Sequence, residues 1–560
     1  MSRGSRLRSR AAGESEGGHL RPWLRDPANI LFAALLVSHV SLLWAFPYVP
    51  TQDGPSHLNN ANVIREYSRP DLPLFREYYD LIPSLEPNWF SHLVLAGLMA
   101  FFSPLTADKV LLSLYVILLP LSVRYALSST RPGSEFLSIL AFPFTFNFLF
   151  SMGFYNFIFS LPVFFFVVGR CVKDRGKPSA KGFAWLSALA LVLYFCHITT
   201  FVLVFAAAIA AAFGFAAADF FRADGAGGGR LRGFFLDSLR RVATVTASFL
   251  PGLILVLVFV VRKGVERASS PEPGKLLGRL LSLDSLHSHD SREVIAAIAL
   301  SALFGLLLIA GVVGKIRERR LDGTDALLLT AIVYAAACFA APDRMSGGEF
   351  ISHRMNLFPF LALLLWFGAV EWPAWIRKAL PFAAATIAAA FLYFHAGSWA
   401  RINVYLGEYL SGASLVEPNK TLLPVCFAPF GRTPDGRRLS SRIRIFLHAA
   451  GYIAAERRVV DLVNYEANTD FFPTRFHAGR NPNEIVAMQK DGLESNPPCV
   501  DFTYAPERAG MSVDYVLVWG AKAAPRNHPC TQAIFDQLVE GYVPILAPAG
   551  GMMQLYRKRG

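Results

Sequence analysis

The residues best placed to do chemistry are Asp53 and His57, in the run Pro50-Thr51-Gln52-Asp53-Gly54-Pro55-Ser56-His57. A carboxylate and an imidazole four positions apart can serve as a general base with its partner, or as two ligands of one divalent cation. The Asp-Gly-Pro run is a turn, because Gly54 tolerates unusual dihedrals and Pro55 fixes its own φ and favours a helix start. A short polar helix is expected from Ser56 to about Tyr67. Two roles are open to Asp53. It can act as an N-cap or turn former for that helix, or as a catalytic carboxylate at the water-facing mouth of a membrane cavity.

The second role depends on what precedes the run. Residues 29–48 are apolar and about as long as the roughly 20 helical residues that cross a hydrocarbon core. The chain of 560 residues is 53% hydrophobic and 17% charged, with mean hydropathy +0.38. That composition points to a polytopic membrane protein and excludes an ordinary soluble one. The net charge of +13 does not point to nucleic acid, because the basic residues sit in short clusters between apolar spans, as membrane topology requires.

Arg3, Arg6, Arg8, Arg10, Arg21 and Arg25 predict a cytoplasmic N-terminal tail over 1–28 and an uncleaved first anchor. The helical membrane domain is expected over 29–400, with outer loops at 49–107 and 262–293. Asn88 to Pro104 is apolar, but only a non-crossing, interfacial placement puts Arg170, Lys173, Arg175, Lys177 and Lys181 in the cytoplasm. Eleven transmembrane helices result, including one at 136–150, with the C-terminus outside. The outer loop from 262 carries Arg262, Lys263, Arg267, Lys275, Arg279 and Arg292 against the positive-inside rule. A bound anion such as phosphate, or simple tolerance in a late loop, accounts for that.

Residues 401–560 alternate strand-like runs (422–427, 459–463, 513–519, 552–556) with helical ones (440–457, 531–540) and predict an extracytoplasmic α/β domain. Among Cys426, Cys499 and Cys530, one disulfide and one leftover thiol are expected, with no pairing fixed by the sequence. Cys171, Cys196 and Cys338 read as packing residues.

This topology collects polar residues at one depth on the outer face: Asp53, His57, Asn156, His197, Asp343, Arg344, His353 and Arg354. Ionisable groups bordering hydrocarbon are costly and usually face a cavity or pathway. Each taken singly also fits an ordinary helix end. The sequence contains no His-Glu-x-x-His, P-loop, nucleophile elbow or Cys-x-x-Cys. His287-Ser288-His289-Asp290 reads as a solvated loop before it reads as a metal site.

The layout resembles the C-type (GT-C) membrane glycosyltransferases that use polyprenyl-phosphate sugars. The likeness rests on Thr51-Gln52-Asp53-Gly54-Pro55-Ser56-His57 after the first span and on the outer turn Gly153-Phe154-Tyr155-Asn156. It implies sugar transfer at the outer face of a bacterial inner membrane, from a polyprenyl-phosphate donor to a glycan, lipid or protein acceptor. Asp53 would be the base, with His57, Asn156, His197, Asp343, Arg344, His353 and Arg354 binding substrate. Many members of that family carry a second acidic residue where this chain has Asn156, which bears on any Mg or Mn requirement. Two other classes compete: a transporter or flippase, against which stands the lack of an internal repeat, and a non-catalytic membrane assembly protein with the same layout.

Overall fold

The computed structural model describes residues 26–82, 85–222, 229–264, 272–319, 322–345, 348–433, 435–469, 471–548 and 551–560. The arginines of the N-terminal tail and Arg267 lie outside these residues. Eight helices among them are long and apolar enough to cross a membrane: Pro27–Ala45, Pro104–Thr130, Tyr155–Lys173, Ile198–Arg222, Arg230–Lys263, Glu293–Glu318, Gly323–Ala340 and Ala374–Leu415. Shorter apolar helices at Glu135–Phe144, Ala180–Cys196 and Ile351–Phe367 stand at the three remaining places where the sequence predicts crossings.

The predicted crossing at 136–150 takes a different form. A ten-residue 3-10 helix, Glu135–Phe144, gives way to a separate short helix, Phe148–Ser151. Pro143 offers no N–H to continue the first, and the Asn147 side chain starts the second by accepting from the Leu149 and Phe150 amides. Leu140, Phe142 and Leu149 are almost fully buried. Their hydrophobicity therefore answers to protein neighbours, which a sequence pattern does not separate from lipid. The helix within 88–104, Phe90–Leu98, has nine residues and rises about 14 Å, half of what a crossing needs.

The strands are β1 (Tyr79–Leu81), β2 (Thr421–Cys426), β3 (Val460–Asp461), β4 (Thr474–Phe476), β5 (Tyr515–Trp519), β6 (Tyr542–Leu546) and β7 (Met553–Lys558). Five of them form a mixed sheet in the order β3-β2-β5-β7-β6. The parallel pair β2 and β5 runs in register from Leu422 opposite Tyr515 to Cys426 opposite Trp519, and every residue of both is buried. Near-continuous apolar runs are what central parallel strands require. Edge strand β6, absent from the sequence prediction, carries Pro544 next to a register shift, as an edge position allows. The helix expected over 440–457 forms only over Ala450–Arg457. Cys499 pairs with Cys530, and Cys426 stays a buried thiol, as do Cys171, Cys196 and Cys338.

The segment 49–107, expected as the first outer loop, is stitched to this sheet domain. Strand β1 pairs antiparallel with β4, Tyr79 opposite Phe476, and the Tyr452 hydroxyl donates to the Val49 carbonyl at 2.9 Å. Gly451 lies so close to the Pro55 carbonyl that a Cβ there would sit 2.3 Å from its oxygen. Among the described residues of the 262–293 segment, the basic side chains have protein partners. Arg262 and Lys263 face Glu86, Lys275 pairs with Glu272, Arg292 pairs with Asp290, and Arg279 donates to Ser352.

Candidate active site

Asp53 occupies the N-cap position of the Gly54–Glu66 helix, yet its side chain makes no capping hydrogen bond. The backbone holds it instead. The Gln52 and Asp53 amides donate to the Ser151 and Met152 carbonyls at 3.0 Å each. Gly153, at φ +82°, allows this, since a Cβ there would fall 2.4 Å from the Gly54 nitrogen. The carboxylate, 5% exposed, accepts from Gln52 Nε2 at 3.0 Å. Burial pushes its pKa up to about 6; His57 and Gln52 pull the other way, and the nearby Glu466 charge adds to the rise.

The sheet domain supplies the roof. His448 Nε2 lies 3.6 Å from Asp53 Oδ1. Burial, then Arg444, pushes the His448 ring down to about 3, so it is neutral beside the carboxylate. Tyr465, packed beside His448, is in the field of Asp53, and burial chiefly holds its hydroxyl protonated. Arg444, whose amide donates to Gln52 Oε1 at 3.1 Å, puts its charge in the field of both Asp53 and Glu494. Glu494 is itself pushed up to about 7, mainly by burial.

Arg354 comes from the first turn of the Ile351–Phe367 helix. Its guanidinium lies over the rings of Phe154 and Phe157, with Nη1 3.1 Å from His197 Nε2. Its Nε is buried without a hydrogen-bond partner, and no carboxylate among the described residues pairs with it. Asp53 and Tyr465 are in its field. His197 thus enters as an acceptor that positions Arg354.

The other residues picked out by sequence have different surroundings. Asn156 uses its amide on the backbone, accepting from the Ser91 amide at 2.8 Å and donating to the Asn88 carbonyl at 2.9 Å, which anchors the Phe90–Leu98 helix. Asp343 accepts from Ser352 Oγ with its carboxylate and from the Ile351 amide with its backbone carbonyl. Arg344 is mostly exposed and pairs with Glu349. His353 belongs to another cluster, 3.3 Å from Asp284, which Arg442 grips with both guanidinium nitrogens at 2.9 and 3.0 Å. His289, predicted as part of a solvated loop, is buried and bonds Ser440 across the domain contact.

His57 turns Nδ1 onto two residues that the sequence did not single out. It lies 2.7 Å from Glu466 Oε1 and 3.2 Å from His92 Nε2, which in turn lies 2.7 Å from Glu466 Oε2. The His57 contact is an ion-pair distance without hydrogen-bond geometry at Oε1. All three side chains are buried, and their ligand atoms lie within 4.8 Å of one another. Against the cost of its burial, the two histidines hold the Glu466 carboxyl below its usual range. The structure thus groups His57 with His92 and Glu466. These two, with Arg444, His448, Tyr465 and Glu494, carry no spacing signal in the sequence, since tertiary contact alone assembles them.

No protein-family model and no curated protein matches the sequence. Solved structures of the oligosaccharyltransferase of Archaeoglobus fulgidus are similar in fold at low scores. The apo form has TM-score 0.44, covering 96% of this chain and 75% of its own. The complex with Zn and sulfate has TM-score 0.42, with 94% and 73% covered. The enzyme, AglB, with an inhibitory peptide and a dolichol-phosphate has TM-score 0.38, with 96% and 75% covered. Identity is 12% in each.

Proposed function

We propose that the chain is a membrane glycosyltransferase that transfers a sugar from a polyprenyl-phosphate donor to an acceptor hydroxyl or amide at the outer face of the membrane. The observation that carries this reading is the pairing of opposites left unsatisfied. Asp53 sits at a cap position without capping, and Arg354, which feels its charge, pairs with no carboxylate among the described residues.

Asp53, with a pKa of about 6, is ionised at neutral pH and basic enough to accept a proton. It takes the acceptor's proton as the acceptor attacks the anomeric carbon. The bond from that carbon to the lipid phosphate breaks, and the phosphate leaves as an anion. Arg354 offers that anion a guanidinium, the group best shaped for bidentate phosphate contact. Burial between the helices and the sheet domain keeps water away and strengthens both interactions. The Cys499–Cys530 disulfide supports placing the sheet domain in an oxidising compartment outside the cytoplasm.

The test is an assay of membranes containing the chain with labelled polyprenyl-phosphate sugars. The expected result is label transfer that depends on Asp53. Absence of transfer across hexosyl and pentosyl donors, with the chain shown to be folded, removes the proposal in favour of an assembly or transport role.

A further inference from the structure

We propose that His57, His92 and Glu466 form a zinc site that pins the sheet domain to the first outer loop. The inference goes beyond the sugar-transfer reading and does not depend on it.

The decisive feature is where each imidazole directs its outer nitrogen. His92 Nδ1 lies 3.2 Å from the Asn88 carbonyl, an acceptor, so that nitrogen carries the proton. A neutral His92 then presents a bare lone pair from Nε2 toward Glu466 Oε2, 2.7 Å away. His57 also directs Nδ1 inward, 2.7 Å from Glu466 Oε1 and 3.2 Å from His92 Nε2. The inner nitrogen of His92 and the carboxylate thus meet acceptor against acceptor beside His57 Nδ1, and something positive must lie among them. Either the imidazoles are protonated or a cation sits there.

Three observations favour the cation. Glu466 Oε1 is buried with no hydrogen bond, an orphaned acceptor aimed into the cluster. A backbone carbonyl holding the outer N–H, as that of Asn88 does for His92, is the usual partner of a metal-binding histidine. The carboxylate is oriented in the same way: Asn60 Nδ2 donates to Glu466 Oε2 at 2.9 Å, and Asn60 is itself fixed by Asn464 and Thr474. Zinc with bonds of about 2.0 to 2.1 Å sets tetrahedral ligand atoms roughly 3.3 Å apart. The observed separations of 2.7 to 3.2 Å reach that by an opening of at most about 0.6 Å. Two imidazoles and one carboxylate suit zinc better than Mg or Mn, which prefer all-oxygen sets.

The ligands come from three segments: the Gly54–Glu66 helix, the Phe90–Leu98 helix and the turn after β3. A metal there holds the sheet domain over Asp53. The experiment uses the full chain in detergent without a polyhistidine tag, stripped with a chelator and titrated with zinc. Expected are one equivalent of zinc by elemental analysis and an upward shift in thermal unfolding. His92→Gln and Glu466→Gln should lose the equivalent. Asn60→Ala, which leaves every ligand in place, should bind zinc about 10- to 100-fold more weakly. A parent that binds no zinc, or ligand variants that bind it as the parent does, overturns the proposal and leaves a protonated ion-pair clamp. If the ligand variants fail to fold, the parent titration and Asn60→Ala decide the matter.

Discussion

Two polar clusters lie where the membrane helices meet the sheet domain, and they treat their charges in opposite ways. In the first, Asp284, Arg442 and His353 satisfy one another, with Arg442 also donating to the His287 and Asp284 carbonyls. In the second, Arg354 feels the Asp53 charge, makes no carboxylate pair among the described residues and leaves its Nε without a partner. A cluster built for stability closes its hydrogen bonds, because any buried group left open costs about 1 to 3 kcal/mol. One built for chemistry leaves donors and acceptors unpaired. The contrast separates His353, a member of the closed cluster, from Arg354, its neighbour in sequence.

The largest expected effect falls on the open cluster. Asp53→Asn should lower sugar transfer by about 10² to 10⁴, the usual worth of a positioned base. The parent's rate should rise with pH through about 6, as Asp53 loses its proton, and then level off. A stopped assay across pH 4.5 to 8 reads both. In the closed cluster the damage should be to folding. Arg442→Ala strips Asp284 of its bidentate partner and should cost about 2 to 3 kcal/mol in denaturant unfolding, toward the low end of what breaking a buried pair costs because both side chains are about one-fifth exposed.

These assignments show what the sequence made legible. The Asp-Gly-Pro turn after the first apolar run marked Asp53, and the basic clusters ruled against a crossing at 88–104. Strands β2, β5 and β7 were readable from their apolar runs. Residues 440–449 were misread as helix because Ser440, Ser441 and Arg442 look like helix-compatible polar positions, whereas each binds the second outer loop. Glu466 lies 374 residues from its partner His92, and no local pattern announces such a pair. Asn156 drew notice for its neighbourhood at an outer turn, but its work is to hold a helix end.

A smaller effect should separate Arg354 from its neighbours. Arg354→Ala removes hydrogen bonds to a charged leaving group, about 1.5 to 3 kcal/mol each, and should slow transfer roughly 10- to 100-fold. Arg354→Lys should recover little, since an ammonium does not grip phosphate bidentately. Equal activity in Arg354→Ala would merge the two clusters into one structural role. Smallest of all, Arg344→Ala should change stability by less than about 0.5 kcal/mol and leave the rate unchanged, because Arg344 is exposed and paired only with Glu349.

The central claim is that the Asp53 carboxylate serves chemistry and not the helix, and thermal unfolding of Asp53→Asn beside the parent tests it most directly. A carboxyl whose folded pKa is about 6, against 3.8 for the free group, contributes its stability fully below pH 3.8 and loses it as pH rises through 6. Parent and variant should therefore unfold alike near pH 4. At pH 8 the inactive variant should be the more stable, by at most about 3 kcal/mol for a shift of that size. A variant less stable than the parent at pH 8, or one that still transfers sugar at the parent's rate, would show a carboxylate that holds the fold and would contradict the assignment.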